Sequence, residues 1–413
     1  MDGQGASGGV GDSENLCTSY TLAMRDFQFE PEVFKWARQK AFGPNLATLA
    51  ANIPASLTEV SAALVAEWEK GVARPNFSQV KHLAKLYRRP LAIFFLSTPP
   101  RERENPPDAR TIDSRDNRNL SPEALLAIRK ARRVQDLAAS LAFDLGEFPS
   151  FKYRAYTLQD DPATIAEYIR QDLGITTEEQ RRSRTYEDFF ETLRSKFEST
   201  GVLTLKSGLH DSFPVADCRA FSFADQLPFV ILINNKDYEG AKNFSLAHEF
   251  GHILLRQAAI CNNFKALRPS RTVSEIEVFC NEFAAHLLVP YDDLVLHSLI
   301  GRQDRIDEEA LGKIAETLAK EFKVSRFVIA RRLLALEKIS LRLYREATER
   351  WSDETHPRSG GRFSLVTPFK MNGRAFSSLV FEAYRKKKLS YAGVADYLGI
   401  KGKHISGMEK LIA

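Results

Sequence analysis

His248, Glu249 and His252 stand in the run Phe244-Ser-Leu-Ala-His-Glu-Phe-Gly-His-Ile-Leu-Leu255, and their spacing constrains the fold more than any other feature of the chain. On a helix, residues four apart lie one above the other, so both imidazoles can face one metal ion. Two imidazoles suit zinc, which at catalytic sites takes three protein ligands and leaves a position for water. Glu249, beside the first histidine, is placed to accept the proton of that water. The plain alternative is a histidine pair on an ordinary surface helix, because five residues with two free positions make a short pattern.

The flanking residues fit the first reading. Pro228-Phe-Val-Ile-Leu-Ile-Asn234 reads as a buried strand, Lys236–Gly240 as a turn and Ala241–Gln257 as a helix. Gly251 inside that helix costs about 1 kcal/mol against alanine, which is expected where another backbone comes close. Ser274–Pro290 supplies the partner: it is apolar at helical spacing and stopped by a proline. Glu277 in its first turn is the expected third ligand, with Asn281 one turn on to accept the free N–H of a ligating histidine. Ser274 and Glu277 also read as a helix cap and capping box. Glu275 and Glu282 are the rival carboxylates, of which Glu282 reads as a solvated helix residue.

Together, HEFGH and the later pattern Glu277-x-x-x-Asn281-x-Phe283-Ala-Ala-x-Leu-Leu-x-Pro290 resemble the ImmA/IrrE metallo-endopeptidases, as does the lead-in Asn243-Phe-Ser-Leu-Ala-His248. The resemblance covers Phe221–Pro290 closely and the rest of the chain loosely. It implies that His248, His252 and Glu277 bind Zn2+, that Glu249 is the general base, and that the substrate is a DNA-bound repressor or similar regulator. His286 departs from the family pattern and, half a turn from Glu277, is not expected to be a ligand.

At 413 residues the chain is long enough for two or three domains. A hydrophobic share of 44% and a charged share of 27% are ordinary globular values. Cys17, Cys218, Cys261 and Cys280 lack any paired spacing, so neither a disulfide framework nor a cysteine zinc site is indicated. Met1–Ser19 has no apolar segment of the secretory kind, and Leu91–Leu96 is too short to span a bilayer. The cytoplasm is the expected location, with no membrane contact. A formal charge of +5 is mildly basic, and clusters such as Arg385-Lys-Lys-Lys388 read first as solvated faces.

Near the N-terminus, Glu32–Ala41, Asn45–Asn52, Val60–Gly71 and Arg74–Tyr87 carry helical spacing, followed by the apolar Pro90–Phe95. With Trp68, Glu69, Gly71 and Pro75 in the pattern W-E-x-G-x-x-x-P, this resembles an Xre/Cro-type helix-turn-helix domain, whose third helix would enter a DNA major groove. Ser61–Glu67 offers no Arg, Asn or Gln to read base edges, and Glu67 repels phosphate. DNA binding and a role in homodimer formation or substrate docking therefore both stay open.

The expected class is α+β, mostly helical, in this order: a disordered 1–19, a helix-turn-helix unit at 20–99, a linker at 100–120, and a zincin-like peptidase domain with a small sheet at 121–349. A helical unit at 363–413 follows a Gly/Ser linker. Gly201–Lys206, Cys218–Phe223 and Phe229–Asn234 are the expected strands. Leu318–Leu333 reads as two helices joined at Lys323-Val-Ser325, and amphipathic packing explains it and the C-terminal unit better than DNA contact. His210, Tyr238, Tyr291 and His297 are candidate oxyanion donors among which the sequence does not choose. The competing functional class is a DNA-binding transcription factor or antitoxin whose zinc is structural or sensory.

Overall fold

The computed structural model describes residues 30–54, 59–87, 89, 91–100, 121–208, 213–215, 217–257, 259–261, 275–301, 304–353 and 366–412. The expected disordered N-terminus, most of the 100–120 linker, the Gly/Ser linker, Ser274 and His210 lie outside them. The chain divides into two compact units, Met1–Arg103 and Glu104–Ala413.

In the first unit four helices, α1 (Pro31–Phe42), α2 (Leu46–Asn52), α3 (Ala62–Glu69) and α4 (Phe77–Leu86), precede a 3-10 turn at Leu91–Phe95. Local chemistry starts them. Asn45 and Ser61 accept the backbone N–H of Ala47 and Leu64, and Asn76 and Gln79 form a reciprocal capping box. Phe34, Leu49, Trp68, Leu83 and Phe94 fill the shared core. The buried Arg38 clamps Glu69 through two hydrogen bonds of 2.6 and 2.9 Å, tying α1 to the end of α3.

The second unit is built on a four-stranded sheet: β1 (Val202–Lys206), β2 (Ala220–Phe223), β3 (Phe229–Ile233) and β4 (Ala259–Cys261). The order is β1-β3-β2-β4, with β1 parallel to β3 and the other pairs antiparallel. Three strands stand where the sequence places them, within Gly201–Lys206, Cys218–Phe223 and Phe229–Asn234. The fourth, on the edge, is too short for its sequence to show a period.

Both faces of the sheet are covered, and the pleat divides them. Val202, Ala220, Ile231 and Ile233 belong to a front core with α8 (Tyr186–Glu198), α9 (Glu239–Leu254) and α10 (Glu275–Leu288). Leu203, Leu205, Phe221, Phe223, Val230 and Leu232 point into a back core. That core is closed by α5 (Pro122–Asp144) and by the C-terminal helices α15 (Val366–Asn372), α16 (Arg374–Arg385), α17 (Tyr391–Leu398) and α18 (Ile405–Ile412). The C-terminal helices, set apart in sequence by a linker, thus share a core with α5 and the sheet. On the front, α6 (Pro162–Asp172) and α7 (Thr177–Arg182) pack near α10, with the short α11 (Tyr291–Val295) after it and α14 (Leu341–Asp353) beyond the helix pair that follows. The pair α12 (Glu308–Phe322) and α13 (Arg326–Ala335) is joined at a left-handed Lys323. No helix of the described residues is long and apolar enough to cross a membrane.

Phe376, Val380, Phe381, Val394, Leu398, Ile405 and Met408 are at most 3% exposed. At about 1.5–3 kcal/mol for each buried side chain, they contribute roughly 10 kcal/mol or more, as much as the whole stability of a typical domain. Deleting residues 363–413 is therefore expected to abolish cooperative unfolding of the second unit in a circular-dichroism melt. A transition as sharp as that of the full chain would show that the back face is stable uncovered.

Candidate metal centre

Three side chains from two helices meet in the front core. The Nε2 atoms of His248 and His252 on α9 lie 3.1 Å apart. Glu277 of α10 reaches them with Oε2 3.4 Å from His248 and Oε1 3.2 Å from His252. Tetrahedral zinc with bonds of 2.0–2.2 Å holds its donor atoms about 3.4 Å apart, so the three donors already stand at the spacing of a metal's ligands. Among the described residues His248, His252 and Glu277 form a group able to hold a metal ion. Two neutral nitrogens and one carboxylate suit zinc or a similar borderline divalent ion.

Their mutual charge is strong. Burial opposes ionising Glu277, but hydrogen bonds and charges from both histidines hold its carboxyl far below the usual range. Burial also opposes charging His248, yet Glu277, Glu249 and a hydrogen bond with Asn281 raise its pKa. Asn281 thus lies beside the ligand that its one-turn offset from Glu277 suggests. Protons now shared in this cluster are those a divalent cation would displace.

Glu249 is fully buried, and neither carboxylate oxygen has a hydrogen-bond partner in the protein. Burial raises its pKa by more than the two imidazoles and Ser222 lower it. The Ser222 hydroxyl, buried on the front face of β2, influences Glu249 without closing a bond of normal geometry. An orphaned buried carboxylate costs several kcal/mol unless something polar is handed to it. A water activated by an ion at the neighbouring triad is such a partner, so the residues present fit a catalytic metal.

Close packing brings the donors together. A Cβ at Gly251 would lie 3.2 Å from Cys280 Sγ and 3.3 Å from its Cα, so the glycine lets α10 approach α9 as its position predicts. Phe250 stacks on Phe197 at 3.9 Å and locks the rotation of α9. Asn243 ties the same helix to the Lys323 carbonyl at 2.7 Å. The C-terminal carbonyls of α10 are capped by buried side chains: Arg170 donates to Leu287 and Gln180 to Leu288, while Arg332 donates to Val289 just beyond. None of these capping residues, nor Ser222, carries a signal in the sequence beyond being polar within an otherwise regular helix or strand.

The remaining sequence candidates lie apart from the triad. Tyr238 begins α9 about 15 Å along the axis from His248 and pairs with Tyr186. His297 pairs with Glu321 at 3.2 Å, and Tyr291 is exposed beyond the end of α10. Glu275 is exposed. Glu282, expected in solvent, is half-buried against Arg331 at 3.0 Å. His286 accepts from Arg332 at 2.9 Å and is no part of the triad.

Two outcomes follow from this packing. Gly251→Val is expected to cost about 1–3 kcal/mol by overpacking and to lower metal affinity by wedging α10 outward, read by chelator competition beside a thermal melt. Unchanged affinity would mean that α10 does not depend on this contact. Burial and the Arg332 charge push the His286 pKa down to about 4, against Glu282 and Asp161. Its neutral form therefore stabilises the fold fully above the unfolded pKa of about 6.5, and that contribution drains as pH falls toward 4. Between pH 7 and pH 4, urea unfolding should show wild type losing about 2 kcal/mol more than His286→Gln; parallel slopes would exclude the linkage.

No match was found among curated proteins. Residues 198–334, which carry the sheet, the helices bearing His248, His252 and Glu277, and α12 with most of α13, match the family model of the IrrE N-terminal-like domain, and this match supports a metallopeptidase-type function for that part of the chain.

Proposed function

We propose that the chain is a zinc-dependent endopeptidase that cuts a protein regulator, in keeping with its resemblance to the ImmA/IrrE metallo-endopeptidases. The observation that carries this reading is the buried Glu249 carboxylate, without a protein partner, beside three donors at metal-ligand spacing. His248, His252 and Glu277 would hold the ion, which when bound supplies Lewis acidity toward the scissile carbonyl and acidifies water. Glu249 takes the proton of the attacking water and returns it to the leaving amide nitrogen. Its raised pKa suits both halves of that transfer, because the carboxylate holds the proton once taken. The outer edge of β4 is the sheet edge on which an extended substrate backbone would pair.

The first unit is read as an Xre-like helix-turn-helix module. Ala63 and Glu67 form the exposed positions of α3, offering neither donors for base edges nor charge for phosphate. This favours dimerisation or substrate docking over base reading as the role of the unit. A structural or sensory zinc site in a transcription factor has no need of an orphaned Glu249, which weighs against that second class.

Glu249→Gln is expected to bind metal like wild type while losing hydrolysis by about 10²–10⁴-fold. The decisive comparison is of new protein termini in cells carrying either form, under DNA damage and other stresses. Fragments of a DNA-binding regulator that require Glu249 support the reading. Full regulation by the variant, with no Glu249-dependent terminus, would hand the site to the transcription-factor class.

A further inference from the structure

The back core does not close completely. A cavity of about 600 Å³ opens between α5, β1, β3 and the C-terminal helices. Native interiors seldom leave voids larger than a water molecule, and this volume falls within the range of small-molecule sites. Leu205 and Leu232 of the sheet, Val134 and Leu137 of α5, and Leu398 and Met408 of the C-terminal helices give it an apolar lining. Lys206 also borders it, but its amino group pairs with Glu187 and Glu191.

The rim has the opposite character. Lys130, Arg133, Lys401, Lys403 and His404 surround it, and Asp396 is the one carboxylate among the lining residues. Arg133 already pairs with Asp396. The rest of the rim is therefore net positive, and Lys401 and Lys403 stand exposed around the 3-10 turn Gly402–His404. Asn372, a polar group within the lining, donates to the Leu398 carbonyl at 2.9 Å and is engaged in holding α15 to α17. The interior thus suits a ligand body that asks for no hydrogen bonds, and the mouth suits a negative head.

We propose that this cavity binds a small amphipathic carboxylate, with its hydrocarbon or aryl body on the apolar lining and its carboxylate at the Lys401–Lys403 rim. The site lies on the opposite face of the sheet from His248, His252 and Glu277, and it does not rest on the peptidase reading. Burying a ligand's apolar body there removes its surface from water, while the exposed lysines add a favourable, salt-screened charge term.

The full chain is titrated by calorimetry with decanoate and, separately, with decyltrimethylammonium, which has the same tail and the opposite charge. Decanoate is expected to saturate one site per chain, and decyltrimethylammonium to show no saturable binding. The surface variant Lys401→Glu with Lys403→Glu should weaken decanoate at least about tenfold without changing the melting temperature. Val134→Trp, which fills the cavity from α5, should abolish binding. Absence of saturable decanoate binding overturns the proposal, as does equal binding of both head groups. Affinity left intact in either variant overturns it too.

Discussion

The separation between α9 and α10, set where Gly251 meets Cys280, decides whether donors on two helices can share one ion. His248 and His252 gain nothing from being a turn apart unless Glu277 arrives within about 3.4 Å of both nitrogens. That approach is held from three sides. The Phe250–Phe197 stack fixes the rotation of α9, Asn243 fixes its position along the axis, and Arg170, Gln180 and Arg332 satisfy carbonyls at the far end of α10. Polar side chains engaged at helix ends in this way position the three candidate donors without touching them.

The sheet plays a different part. Its pleat sends alternate residues of β1, β2 and β3 into two separate cores, the front one carrying the donor helices and the back one the C-terminal helices. Ser222 on the front of β2 stands close enough to influence Glu249 without a hydrogen bond of normal geometry, while the neighbouring Phe221 and Phe223 point into the back core. One short strand therefore touches both the chemistry and the hydrophobic packing behind it.

How much of this is legible in the sequence depends on distance along the chain. The pairing of His248 with His252 is readable because helical period stacks the two by a local rule, and the breaks at Lys323 and Gly399 are readable for the same reason. Glu277, on another helix, is instead singled out among its rival carboxylates by the motif around it. β1 and β3 announce themselves as apolar β-branched runs and β2 as an aromatic one, whereas Ala259–Cys261 is too short to show a period. Long-range pairings leave no such mark. Gln180 reads as any polar helix residue until the carbonyls of Leu288 and Phe322, far along the chain, are brought to it. Ser222 reads as an interruption in Ala-Phe-Ser-Phe, and only the fold reveals Glu249 across from it. The C-terminal helices look independent behind their linker, because amphipathicity shows that a face is buried and not what buries it.

A strand whose alternate residues serve two cores has little room to vary in length. One residue gained or lost within β3 would turn Ile231 and Ile233 toward the back and Val230 and Leu232 toward the front, exchanging both cores at once. Related chains should therefore differ in length between strands while keeping the strands themselves free of insertions. Sequence drift in β3 should move along two independent tracks, with odd positions answering to the donor helices and even positions to α5 and the C-terminal helices.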